Sequence, residues 1–277
     1  MIRLDPDQVR AAREGNRAAL DAILRTAERP VYNLAIRMLA HPADAEDATQ
    51  EILIKIVTHL GTLQEVEAAR AWALRIACRH LVRERKRSRV EAMRLTFEGF
   101  AADLDKGQTP LTESGLSEAE AALAVEEVKI GCTLAMLVCL TRDLRMAYLL
   151  GDVFEFTDTE AAPVLEISPA AFRQRLKRAR AAVTGFTRAN CGIASSAGTC
   201  SCDRRVNAAL HQRRIIRGTS QYMHEGRNPA DLAQLRRRVR RFEQGRAAAT
   251  LMRSNPDFET SIKDLVMLLI DQGATRA

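Results

Sequence analysis

Histidine is scarce in this chain of 277 residues, five in all, and none stands in a catalytic context with a Ser or Cys nucleophile. There is no phosphate-cradling Gly loop and no His-Glu-x-x-His pair, so the chain is read as something other than an enzyme. No apolar run approaches the roughly 20 residues needed to span a bilayer. The N-terminus also lacks the basic start and apolar core of a signal peptide, and a cytoplasmic protein without membrane insertion is expected. Alternating Val/Ile/Thr/aromatic runs bounded by turn residues are missing as well, which excludes a sheet. Six Cys are too few and too scattered for a secreted disulfide framework: Cys78, Cys132 and Cys139 stand singly, while Cys191, Cys200 and Cys202 lie close together.

What is present is Arg. The formal net charge is +7, and 36 of the 42 basic residues are Arg, whose planar fork pairs with phosphate in a way Lys cannot. A polyanion is the expected partner. Apolar residues make up 47% of the chain and recur at spacings of three and four, so the fold is expected to be all-α, in two small helical domains with a helical C-terminal extension. Charge divides the chain. Residues 70–89 hold eight Lys or Arg and one Glu, whereas residues 91–129 hold nine acidic residues against three basic ones. Turn chemistry at Gly107-Gln108-Thr109-Pro110 and Thr112-Glu113-Ser114-Gly115 marks a link. The expected organisation is a first domain over 1–89, an acidic flexible linker over 90–118, a second domain over 119–187, and an extension over 188–277.

In the second block Thr157 to Glu160 spells a capping box, and Ser168-Pro169 spells a second helix start ten residues on. Only Glu166-Ile167 remains for the turn, so the two helices form a helix-turn-helix. Pro163, inside the first of them, is expected to bend it. Phe172, Leu176, Ala179 and Val183 make the apolar stripe of the second helix. Ser168 caps it and counts among its DNA-binding residues, Ala170, Arg173 and Gln174 are placed to meet base edges, and Lys177, Arg178 and Arg180 to meet phosphates.

In the first block a helix opens at Asp44 with acidic residues at its positive end. Ala48, Ile52, Ile56 and Leu60 form its buried stripe, while Asp47, Gln50, Glu51 and Ile54 share another side, acidic and apolar together, suited to a protein partner. On the following helix Ala69, Trp72, Ala73, Ile76 and Ala77 read as buried. Arg75, Arg79 and Arg83 repeat every fourth residue before Arg85, Lys86 and Arg87, a ladder facing phosphate. Trp72 reads as core or as a stacking platform for a single strand.

These residues carry a resemblance. Asp44 to Leu60, then Ala71-Trp72-Ala73-Leu74-Arg75-Ile76-Ala77 and its basic end, resemble the second conserved region of the sigma-70 family. Leu140 to Arg145, Glu160-Ala161-Ala162 and Ser168 to Arg180 are similar to its fourth region. Their order, with only a short acidic linker between, is the extracytoplasmic-function pattern, and the likeness covers roughly residues 8 to 187. The resemblance implies a transcription initiation factor. Asp47, Gln50, Glu51 and Ile54 would meet the clamp helices of core RNA polymerase. The loop from Gly61 to Ala69 and the helix after it, with Trp72, Arg75, Arg79 and Arg83, would capture the melted minus-ten element. The helix from Ser168 to Val183 would read the minus-thirty-five duplex. The competing reading is a helix-turn-helix regulator that never joins polymerase.

The remainder departs from that plan. Cys191, Cys200, Cys202 and His211 are candidate ligands of a structural zinc; thiolate redox sensing helped by Arg204 and Arg205, or plain reduced cysteine, are the other readings. Residues 203–246 hold twelve Arg and four acidic residues, with Leu232, Leu235, Val239 and Phe242 as an apolar stripe. Asn228-Pro229 and Asn255-Pro256 read as helix starts. The extension is expected to dock on the preceding domains and regulate them, in place of a separate anti-sigma protein.

Overall fold

The computed structural model describes residues 2, 4–83, 88–222, 232–240 and 244–274. Arg85, Lys86, Arg87, the Asn228-Pro229 start and Phe242 lie outside the described residues. Helices account for nearly all of the regular structure; the β-like feature among the described residues is one isolated bridge between Cys191 and Cys200. Among the described residues no helix is long and apolar enough to cross a membrane.

The first block is a bundle of α1 (Pro6–Arg13), α2 (Arg17–Leu39), α3 (Pro42–Thr58) and α4 (Ala69–Arg83). Asn16 caps α2 by accepting from the Ala19 amide at 3.1 Å. α2 ends at Ala40 in the left-handed region, φ 55°, and one residue later His41 Nδ1 accepts from the Asp44 amide at 3.3 Å to start α3. With Pro42 at its first position, α3 therefore begins two residues ahead of the Asp44 start read from charge alone. Ala48, Ile52, Ile56 and Leu60 are all buried, as their spacing predicts. Ala69, Ala73 and Ala77 of α4 are buried too, but Trp72 and Ile76 are only half-buried, a departure from the predicted stripe.

Residues 90–118, expected as a flexible linker, are folded. Ser88 and Glu91 close a capping box at the start of α5 (Arg89–Ala92), Thr96 caps α6 (Phe97–Asp105), and Leu111–Ser114 form a 3-10 turn. Phe100 and Leu104 of α6 are buried, and the Phe100 ring stacks on Phe186 with centroids 5.2 Å apart. Burial of these side chains offsets the entropy that an acidic, turn-rich composition would otherwise leave free.

A second capping box, Ser117 with Glu120, starts α7 (Glu118–Val138). α8 (Arg142–Tyr148) passes directly into a π turn at Leu149–Val153, where Gly151 lets Leu176 approach; a Cβ there would stand 2.6 Å from its Cδ2. α9 (Asp158–Leu165) and α10 (Pro169–Asn190) follow with the predicted caps: the Glu160 amide donates to Thr157 Oγ1 at 3.3 Å, and the Ala171 amide to Ser168 Oγ at 3.1 Å. α9 runs through Pro163 and ends two residues later at Leu165, capped by Glu166, which takes φ 56°. That left-handed residue is the turn of the helix-turn-helix.

The blocks share one continuous apolar core. Arg145 of α8 is its polar pin, 2% exposed on its side chain. It donates to the backbone carbonyls of Leu137, Val138 and Leu140 at 2.9, 3.2 and 3.0 Å, to Met38 O across in α2, and to Glu91 Oε1 at 2.9 Å. Arg142 closes the cluster on Glu91 at 2.6 Å.

The extension docks on both blocks, through α11 (Val206–His211), α12 (Leu232–Arg240), α13 (Gln244–Arg253) and α14 (Lys263–Ala274). α13 packs on α10, and α14 on α2 and α3. Leu235 and Val239 are buried as their spacing predicts. Asn255-Pro256 does not start the last helix. The chain is irregular there, and α2 takes up its polar groups: Asn33 Nδ2 donates to Phe258 O at 2.7 Å, the Phe258 amide returns to Asn33 Oδ1 at 3.0 Å, and Arg37 reaches Pro256 O at 3.3 Å. Asn255 itself donates to Thr133 Oγ1 at 2.7 Å.

Candidate nucleic-acid interface

α4 supplies the first basic surface. Arg75, Arg79 and Arg83 fall on one side of it, and with Trp72 and Ile76 they line a cleft of about 620 Å³. An indole and an aliphatic side chain beside three guanidinium groups make a site that can take an unstacked base and its phosphates. Lys55, His59 and Thr62, from the end of α3 and the short turn after it, complete the wall. Arg75 Nε is buried there without a hydrogen-bond partner among the described residues. Trp72 thus lines a basic cleft while packing, half-buried, against the core.

One rung of the ladder is engaged. Glu166, at the helix-turn-helix turn, lies on the same cleft and receives Arg79 Nη2 on both carboxylate oxygens at 2.5 and 2.6 Å, with Arg83 at 3.8 Å. The Arg79 hydrogen bonds hold the Glu166 carboxyl below its usual range. A carboxylate from the second block is thus paired with an arginine of the first. Periodicity could not expose this pairing, which joins residues 87 positions apart.

α10 supplies the second surface. Ser168, Ala170, Arg173, Gln174, Lys177, Arg178 and Arg180 are all exposed, while Phe172, Ala179 and Val183 are buried beneath them. Two of the arginines are tied down within the block: Arg173 pairs with Asp158, and Arg180 Nε donates to Asp152 at 2.9 Å. These acids lie in α9 and in the π turn.

α3 presents the third surface. Asp47 and Glu51 are exposed, Gln50 and Ile54 half-exposed, so the acidic and apolar patch faces solvent as its spacing predicts. Glu51 lies 3.9 Å from both Lys55 and His80, too far for hydrogen bonds.

The candidate metal ligands do not converge as read from the sequence. His211 ends α11 exposed, because that helix turns Val206 and Ala209 into a small satellite core with Ala124 and Val125. Among the described residues no group of three or more His, Cys, Asp or Glu is arranged to hold a metal ion. The idea of an activated thiolate is corrected too. Burial pushes the Cys200 thiol up to about 11, and it raises Cys191 and Cys202 as well. Arg205 pulls Cys200 down by less than burial raises it, and its guanidinium is engaged with Lys106 O and, at 2.9 Å, with Asp103. Arg204 is exposed.

Residues 23–90 match the family description Sigma-70 region 2, and residues 130–183 match Sigma-70, region 4. The chain is 31% identical over 172 residues to the probable RNA polymerase sigma factor RfaY of Xanthomonas campestris pv. campestris, covering 62% of this chain and 41% of that protein. It is 28% identical over 173 residues to the ECF RNA polymerase sigma factor SigC of Mycobacterium tuberculosis and to the probable RNA polymerase sigma-C factor of Mycobacterium bovis, covering 62% of this chain and 85% of each. The matched stretch is thus less than half of the Xanthomonas protein and most of the mycobacterial ones.

Proposed function

The chain belongs to the sigma-70 family of RNA polymerase sigma factors, of the extracytoplasmic-function type, and on that premise we propose that it is a transcription initiation factor that binds core polymerase and directs it to promoters. It does no chemistry of its own. The observation that carries the reading is the division of one chain into an exposed acidic and apolar patch on α3 and two separate Arg-rich surfaces on α4 and α10. A regulator that only binds DNA has no use for the α3 patch.

In this reading Asp47, Gln50, Glu51 and Ile54 meet polymerase. The cleft at Trp72 receives bases melted from the minus-ten element, its arginines neutralising the backbone, and α10 enters the major groove of the minus-thirty-five element. Reversing the charge at Asp47 and Glu51 together is expected to weaken core binding at least about tenfold, as loss of opposed charges does. Duplex binding by α10 should be unchanged, and fluorescence anisotropy with core and with DNA separates the two effects. Equal loss of both would count against the assignment.

The arrangement with Glu166 on Arg79 is a partly closed state, because a carboxylate competes with phosphate for one rung of the α4 ladder while Arg83 stays exposed beside it. The extension, seated on α10 through α13 and on α2 and α3 through α14, stabilises that state and takes the part of an anti-sigma protein. Glu166→Ala is expected to raise affinity for single-stranded DNA severalfold and to steepen its salt dependence, since released arginines displace more counterions. An unchanged salt slope in an electrophoretic titration would contradict the closed state.

A further inference from the structure

A cleft of about 800 Å³, larger than the one on α4, opens between the extension and the second block. The π turn and α10 supply one wall, and α12 and α13 supply the other. Four arginines line it: Arg180 of α10, Arg238 of α12, and Arg246 and Arg253 of α13. Asp152 and Glu155 line it too, and both are already engaged. Arg180 donates to Asp152 at 2.9 and 2.5 Å, and Arg253 pairs with Glu155. Arg238 and Arg246 are exposed and meet no carboxylate among the described residues.

We propose that this cleft binds a small molecule carrying a chain of two or more phosphoryl groups. Charge sets the class. Four guanidinium groups against two carboxylates leave two positive charges uncompensated, and the planar guanidinium fork matches phosphoryl oxygens bidentately. Two walls around a volume of this size let several guanidinium groups meet one compact anion at once. The phosphates of a duplex instead lie along a strand and meet a basic face, such as α10 offers. Among the described residues no aromatic side chain lines the cleft, so nothing there stacks a nucleobase and the affinity has to come from phosphoryl oxygens. Leu235 and Ala249, both buried, form the apolar part of the lining, and low polarity behind the guanidinium groups strengthens their pull on an anion.

Occupancy joins parts that are distant in sequence. An anion shared by Arg180, Arg238 and Arg246 ties α12 and α13 to α10, and it takes a cation that α10 would otherwise offer to promoter phosphates. A bound oligophosphate is therefore expected to hold the extension in place and to lower duplex affinity. The site stands on its lining residues; its effect on the duplex rests on α10 being the minus-thirty-five helix.

The test is calorimetric titration of the full-length chain with inorganic tripolyphosphate, in magnesium-free buffer at about 0.15 M salt, where exposed charges are largely screened. One bound ion per chain is expected. Arg238→Ala with Arg246→Ala should weaken binding at least about tenfold, as loss of charged hydrogen bonds does. Arg204→Ala with Arg237→Ala removes the same charge from exposed positions outside the cleft and should bind as the native chain does. Tripolyphosphate at a concentration that saturates only the native chain should lower its affinity for promoter duplex and leave that of the Arg238, Arg246 variant unchanged. Absence of saturable binding, several weakly held ions per chain, or equal weakening in the two double variants overturns the site. So does loss of duplex affinity in the Arg238, Arg246 variant when the native chain takes no tripolyphosphate, which makes the cleft a DNA contact. One bound ion with no effect on duplex affinity supports the site and overturns the part given to Arg180 in the minus-thirty-five reading.

Discussion

Replacing Glu91 by Ala will lower the unfolding free energy by about 3–5 kcal/mol, the cost of leaving a buried charge without its partner. The Glu91 side chain is 8% exposed and accepts from Arg142 at 2.6 Å and from Arg145 at 2.9 Å. Arg145 has no solvent to turn to when the carboxylate is gone. The Ser88 amide would also lose its acceptor at 3.1 Å, opening the capping box of α5. Burial raises the Glu91 carboxyl, but the Arg142 hydrogen bond and the Arg145 charge outweigh it and bring it down to about 2. Because the folded value lies below the unfolded value of about 4.3, this stabilisation is complete above that pH and is lost as pH falls toward 2. Urea unfolding at pH 7 and at pH 3 checks both parts: the gap between native chain and variant should be large at pH 7 and smaller at pH 3. A gap under about 1 kcal/mol at pH 7 would reduce the cluster to a surface-like ion pair.

Phe258→Ala will cost a comparable amount, about 3–5 kcal/mol, although the residue lies in the extension. Phe258 is buried, its ring lies 4.9 Å from the Arg37 guanidinium, and its backbone is clamped in both directions by Asn33. Arg37 is buried as well, and burial pulls its pKa down to about 10, so it stays charged and depends on the ring and on nearby carbonyls. Truncation leaves a cavity beside a desolvated cation. Thermal unfolding of the variant should show one transition at a lower midpoint, because α2 and the extension share a core. A separate early transition, with the rest of the chain melting as before, would mean the extension is an independent appendage. A consequence is that deleting residues 188–277 removes core as well as any regulatory contact, so Glu166→Ala is the cleaner probe of the closed state.

Local signals carried the helix-turn-helix well. A hydroxyl and a carboxylate three residues apart, and a Ser followed by Pro, determine where a helix starts whatever surrounds it, and Thr157–Glu160 and Ser168–Pro169 behave as they read. The same signal stands at Ser88–Glu91 and Ser117–Glu120, and weighing it would have revealed that residues 90–118 are not a free linker. The apolar stripe of α3 was legible because a period of 3.6 survives any tertiary context; Trp72 was not, because an indole at such a spacing serves a core and a cleft equally. Other features have no local signature at all. The pairing of Glu166 with Arg79, the reach of Arg145 to Met38 O, and the seat of Asn255 on α7 and of Pro256 on α2 all depend on how distant segments pack.

The central claim is that one chain joins polymerase through α3 and brings it to promoters through α4 and α10. Promoter-specific initiation by core RNA polymerase reconstituted with this chain, on templates selected from random DNA, tests that claim most directly. The account predicts discrete start sites that require the chain and are lost when Trp72, Arg75 and Arg79 are replaced by Ala together. Selected sequences bound by the chain alone, with no binding to core and no start site, would contradict it.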